Sequence, residues 1–142
     1  MSIARLIEGH KQDIIQCSPG DLVHHAASLL AEKRIGALPV TQDSRVVGIF
    51  SERDLLYCIA REGADVLQRP VSDVMTSPAI TIGPDCDVLK ALSLMTKRRI
   101  RHLPVVDGDA LLAFVSIGDL VKYRMGIIEA EAEQMREYIS MA

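Results

Sequence analysis

Residues 14–55 and 79–120 of this chain align without a gap at a constant offset of 65 positions. Pro39, in Ile35-Gly36-Ala37-Leu38-Pro39-Val40, falls on Pro104, in Ile100-Arg101-His102-Leu103-Pro104-Val105. Ser51 falls on Ser116, Asp54 on Asp119, Pro19 on Pro84 and Val23 on Val88. Of the 42 aligned positions 14 are identical, where segments of ordinary composition would share about three. The chain is a tandem duplication. A unit of about 60 residues is marginal alone, because small chains bury too little surface, so the two copies are expected to complete each other.

Each copy reads as β-α-β-β-α. Apolar segments at 14–17 and 79–82 precede Pro19 and Pro84 and are predicted strands. Leu22, Val23, Ala26, Leu29 and Leu30 then recur at helical spacing, as do Val88, Ala91, Leu92 and Met95. Strand pairs follow near 37–41 with 46–50 and near 102–106 with 111–115, the second signalled by the turn pair Asp107-Gly108. A further helix is predicted to open at Ser51 and at Ser116. Val46-Val47-Gly48-Ile49-Phe50 is apolar throughout, so both faces of that strand should be covered. Sheet-on-sheet packing of the copies would do this and leave clefts about a pseudo-two-fold axis. The predicted fold is mixed α/β, two βαββα repeats plus a C-terminal helix. Its expected divisions are 10–62 and 76–125 for the repeats, 63–75 for a connector and 126–142 for the last helix.

Hydrophobic residues make up 49% of the 142 and charged residues 25%, a globular balance. Net charge is −3 and aromatics are 4% with no Trp, so neither phosphate-backbone attraction nor base stacking favours a nucleic-acid partner. No apolar run reaches the roughly 18 residues needed to span a bilayer, and Met1-Ser2-Ile3-Ala4-Arg5 does not begin a secretion signal. Cys17, Cys58 and Cys86 lack disulfide or zinc spacing and are expected to be idle thiols in a reducing cytoplasm. His24-His25 is expected at the surface, and no metal is required.

The doubled Ile-x-x-Leu-Pro-Val, apolar strand and Ser-x-x-Asp resemble a pair of cystathionine-β-synthase (CBS) domains, over about residues 10–125. Gly48-Ile49-Phe50-Ser51-Glu52-Arg53-Asp54-Leu55 and Arg99-Ile100-Arg101-His102-Leu103-Pro104-Val105-Val106 are similar to small stand-alone bacterial members. The resemblance implies a regulatory module, not an enzyme, whose inter-repeat clefts bind AMP, ADP, ATP, NAD or S-adenosylmethionine. It also implies a homodimer, with an effector protein whose identity the sequence leaves unknown.

Ser-x-x-Asp at a helix start is also a capping box, in which side chains satisfy the first free N–H groups. The resemblance makes Asp54 and Asp119 acceptors for a ribose diol, beside Ser51 and Ser116. It draws Arg53, Arg101 and His102 to the Asp54 cleft, where cationic donors and a helix N-terminus would meet phosphate. Arg101 read alone is a strand-edge charge. The Asp119 cleft would face Gly36 and Ala37. Ala79 and Ile80, and by the repeat Ile14 and Ile15, would present backbone and apolar side chains to adenine. Ala113 stands where the first copy has Gly48, which departs from the pattern in the second site. Ile128, Ala132, Met135 and Ile139 line one face of a terminal helix that would pack on its own module or on a dimer mate. A competing function is a dimerising interaction module with vestigial clefts. An enzyme using a Cys/His pair or Asp54 as base finds no phosphate loop, nucleophile elbow or metal cluster to support it.

Overall fold

The computed structural model describes residues 1–8 and 13–141. The expected start of the first repeat at residue 10, and residue 142, lie outside the described residues. In chain order the elements are α1 (Ile3–Glu8), α2 (Val23–Lys33), β1 (Ala37–Gln42), β2 (Arg45–Ser51), α3 (Glu52–Glu62), α4 (Val88–Arg98), β3 (His102–Asp107), β4 (Ala110–Ser116) and α5 (Ile117–Met141). Two 3-10 turns, Ala64–Gln68 and Val71–Asp73, lie between α3 and α4. The architecture is mixed α/β.

The duplication holds at the level of single hydrogen bonds. In β1–β2, Ala37 faces Ser51 and Leu38 faces Phe50; in β3–β4, His102 faces Ser116 and Leu103 faces Val115. Both antiparallel ladders slip at the same place, between Val40 and Thr41 and between Val105 and Val106. α2 and α4 each end in a left-handed arginine, Arg34 (φ 52°) and Arg99 (φ 55°). A non-glycine residue there costs about 1 kcal/mol, offset by the N–H bonds that Arg34 donates to Leu30 O and Arg99 to Met95 O. The first hairpin turns through Asp43 and Ser44, both at positive φ, and the second through Gly108 at φ +60°. At the hairpin tips Arg45 Nη2 pairs with Asp109 Oδ2 at 3.0 Å, an exposed bridge between the copies.

The predicted strands at 14–17 and 79–82 are reduced to one parallel bridge each, Cys17 with Val40 and Ile82 with Val105. Cys17 N donates to Pro39 O and Thr41 N donates to Cys17 O. The next bond of that ladder would need the N–H of residue 39, which proline lacks. Pro104 stops the second copy in the same way. The motif proline that marks the repeat therefore also truncates its first strand.

Two apolar cores result. Val23, Ala26, Leu30, Leu38, Val40 and Phe50 form the first, and Val88, Ala91, Met95, Leu103, Val105 and Leu120 the second. Segment 63–75 is more than a connector, because Val66, Val71 and Val74 are buried in the first core. The N-terminal α1 does the same for the second, burying Ile3 and Leu6. Backbone bonds match pairwise: Val23 N donates to Arg69 O as Val88 N does to Met1 O. Likewise Val71 N donates to Asp21 O as Ile3 N does to Cys86 O. Each core is closed by the segment that precedes the other copy. At the far end, the helix that opens after Ser116 and the expected separate helix at 126–142 are one element, α5. Gly126 is its weakest point, but a helical glycine costs only about 1 kcal/mol and no proline intervenes.

Candidate functional site

The N-termini of α3 and α5 open where each hairpin ends. Ser51 Oγ accepts from Asp54 N at 3.2 Å, and Asp54 Oδ2 accepts from Ser51 N at 3.0 Å and from Ser51 Oγ at 3.1 Å. Asp119 N likewise donates to Ser116 Oγ at 3.1 Å, and Ser116 N to Asp119 Oδ2 at 2.9 Å. Both pairs are capping boxes, which spends one oxygen of each carboxylate on the helix start. The other oxygen differs. Asp54 Oδ1 accepts from Thr76 Oγ1 at 3.0 Å, leaving that atom one lone pair for a ligand.

Thr76 arrives by a tight crossing. Ile49 N donates to Thr76 O at 2.9 Å, and Thr76 N to Ile49 O at 2.8 Å, so residues 75–76 lie along the outer edge of β2. A Cβ on Gly48 would sit 2.7 Å from Met75 Sδ and 2.9 Å from Thr76 O. Only glycine allows this approach.

A cavity of about 230 Å³ surrounds Asp54. Ser51, Arg53, Arg101 and His102 are in its wall, with Thr76, Arg99 and Tyr57 in addition. Arg53 Nη1 donates to Arg99 O at 3.3 Å, which ties α3 of the first copy to the helix end of the second. Three arginines face Glu52 and Asp54, so the wall carries a surplus positive charge. The helix N-terminus adds to it.

A second cavity, of about 270 Å³, surrounds Asp119. Ser116, Ile14, Ile15 and Ala37 are in its wall, with Asp13, Ala113 and Phe114 in addition. Among the described residues its charged groups are the carboxylates of Asp13 and Asp119. Gly36 is in the Asp54 wall instead of this one, and its carbonyl accepts from Glu52 N at 3.0 Å. Ala79 and Ile80 are in neither wall; both are half-buried, and Ile80 packs on the second core.

His102 reaches both cavities. Its ring stacks on Phe114, with centroids 5.4 Å apart and planes 10° from parallel. Burial pushes its pKa down; Asp119 and Glu52 pull the other way and Arg101 adds to the lowering. At neutral pH it is an uncharged ring and not the cation expected beside Arg101. Thr76, Arg99 and Tyr57 escaped the sequence reading. Thr76 has Lys11 at the equivalent position, so the repeat offers no cue. Arg99 had one: it matches Arg34, an identity at a helix end.

The CBS domain family model matches residues 7–61 and again residues 71–126. The chain belongs to the CBS-domain family. It is a tandem pair, and solved structures show the same arrangement. A CBS-domain containing protein from Agrobacterium tumefaciens is 35% identical with a TM-score of 0.82, covering 87% of this chain and 99% of that one. CBSX2, solved in complex with AMP, is 28% identical with a TM-score of 0.73, covering 82% of this chain and 91% of that one. The mitochondrial CBS domain-containing protein CBSX3 of Arabidopsis thaliana is 34% identical over 128 residues, which are 87% of this chain and 62% of that protein. No described helix is long and apolar enough to cross a membrane.

Proposed function

We propose that this CBS pair is a regulatory module that senses an adenine nucleotide, bound in the Asp54 cavity. The observation that carries the reading is the charge of that wall. One carboxylate, immobilised by Ser51 and Thr76, stands among Arg53, Arg99 and Arg101 at a helix N-terminus. A ribose diol donates to such a carboxylate, and the guanidinium groups and free N–H groups meet phosphate. AMP, ADP, ATP and NAD all carry both groups. The AMP complex of the relative CBSX2 supports the same ligand class. The Asp119 cavity, lined by Asp13 and Asp119, disfavours a phosphate and suits an adenosine compound without one, such as S-adenosylmethionine.

An enzymatic reading finds little support among the thiols. Burial, with Asp21 nearby, pushes the Cys17 thiol up to about 12, and burial also raises Cys86, so neither is a thiolate near neutral pH. The rival reading is an interaction module with vestigial clefts; it predicts no ligand-induced shift in the melting midpoint.

Calorimetric titration of AMP, ADP, ATP and NAD into wild type and Arg101→Ala separates these. Arg101 is exposed and donates no hydrogen bond within the described fold, so its loss leaves the module intact. A charge-assisted hydrogen bond contributes roughly 1.5–3 kcal/mol, so affinity should fall roughly ten- to a hundredfold. Asp54→Ala should do the same at a cost of about 1 kcal/mol in stability from the lost cap. Asp119→Ala should leave ATP binding nearly unchanged. If Asp119→Ala abolishes binding while Arg101→Ala does not, the nucleotide sits in the other cavity.

A further inference from the structure

Ala37 and His102 are equivalent residues of the repeat, and among the described residues they are the two that belong to both cavity walls. In the first copy this shared position carries a methyl group. In the second it carries a ring that can change its charge. His102 stands opposite Ser116 in the β3–β4 ladder, and Phe114, two residues back along β4, stacks on its ring. The stack holds the ring in either protonation state, because a cation is also attracted to an aromatic face.

Charges of both signs surround the ring. Glu52 of α3 lies beside it: a Cβ on Gly36 would be 3.5 Å from both Glu52 Oε1 and His102 Cε1. Asp119 acts on it from α5, and Arg101 precedes it in the chain. Arg53 and Asp54 of α3, with Arg99 at the end of α4, share its wall on one side, and Asp13 shares it on the other. Its neighbours on β4, Phe114 and Ser116, bring no charge. Desolvation outweighs the pull of Asp119 and Glu52, so the protein's own groups leave the ring neutral near pH 7. A phosphate adds about two negative charges, which tips that balance toward the imidazolium.

Granted the nucleotide reading above, on which this rests, we propose that His102 takes up a proton as a phosphate-bearing nucleotide enters the Asp54 cavity, and so sets how strongly the cavity prefers nucleotide over uncharged adenosine. Glu52 and the phosphate then both stabilise the imidazolium. The pKa of the ring is higher in the complex than in the free protein. The affinity it adds is therefore complete below the lower value and is lost as pH rises through the higher. Adenosine, which lacks the phosphate, leaves the ring neutral. Selectivity for AMP over adenosine grows on acidification, so the module reads nucleotide and acidity together.

Calorimetric titration of AMP into the full chain at about pH 7, in buffers of low and high ionisation enthalpy, counts the protons exchanged. Wild type should take up a fraction of a proton per AMP, and His102→Gln none. The AMP phosphate is no source of uptake, because arginines beside it favour loss of its own proton. From about pH 8 to 6 the ratio of wild-type to His102→Gln affinity for AMP should rise at least about fivefold, while the ratio for adenosine stays flat. NMR titration of the His102 ring in wild type needs no variant that must fold: AMP should raise its midpoint by about one pH unit or more. If AMP binds, and binds more weakly to Arg101→Ala, yet brings no proton uptake and no shift of that midpoint, the proposal is overturned and the nucleotide reading stands. Absence of AMP binding overturns both.

Discussion

Gly48 and Ala113 stand at equivalent positions, and their neighbours explain the difference. In the first copy the Met75–Thr76 segment is hydrogen-bonded along β2, and an added methyl would press on Met75 Sδ and Thr76 O. Gly48→Ala should therefore destabilise the fold by about 1–3 kcal/mol through forced separation, measured by urea unfolding. It should also weaken nucleotide binding, because displaced Thr76 no longer holds Asp54. A variant as stable as wild type would mean that the crossing yields without cost. His102 makes a pH-dependent contribution. Its folded pKa lies below the ordinary 6.5, so the unfolded chain takes up the proton first as pH falls. Stability from this residue is complete above about pH 6.5 and is lost progressively below it. The difference in unfolding free energy between wild type and His102→Gln, followed from about pH 7.5 to 5.5, should shrink on acidification; a constant difference refutes the assignment.

At the scale of elements, periodicity made both α2 and α4 legible, because Val23, Ala26 and Leu30, and their equivalents, face a core. The hairpins were legible as pairs of apolar runs, although the first turn is made by Asp43 and Ser44 without any glycine. What escaped the sequence depended on contacts distant along the chain. The short strands at 14–17 and 79–82 were overread, since their length is limited by the missing N–H of Pro39 and Pro104 in a neighbouring strand. Segment 63–75 read as a linker because its apolar residues are too few to show a period, yet Val66 and Val71 are fully buried. α1 gave no signal for the same reason. Of the Asp54 cavity, the residues on the repeat's own motif were legible. Thr76 was not, because it enters from outside the repeat, and the neutrality of His102 was not, because it depends on burial against Phe114.

For the whole molecule, the internal symmetry of the backbone is accompanied by an asymmetry of charge. The same hairpin and capping box recur twice, but among the described residues one cavity sets three arginines beside its two carboxylates and the other has two carboxylates alone. Duplicated geometry with divergent side chains lets one fold offer two different sites. The way each core is closed has a further consequence. Residues 1–8 seal the second copy and 63–75 the first, while Arg124 Nη1 lies 3.5 Å from Met1 Sδ, so the second copy finishes beside the point where the chain begins. In packing terms these residues form a cycle of alternating seals and cores. A circular permutant that starts at residue 63, links 126 to 1 and stops at 62 keeps every seal on its own core, with the copies in reverse order. It should unfold cooperatively, with the two cores melting together. Loss of that single transition would show that the order of synthesis, and not only the set of contacts, is built into the fold.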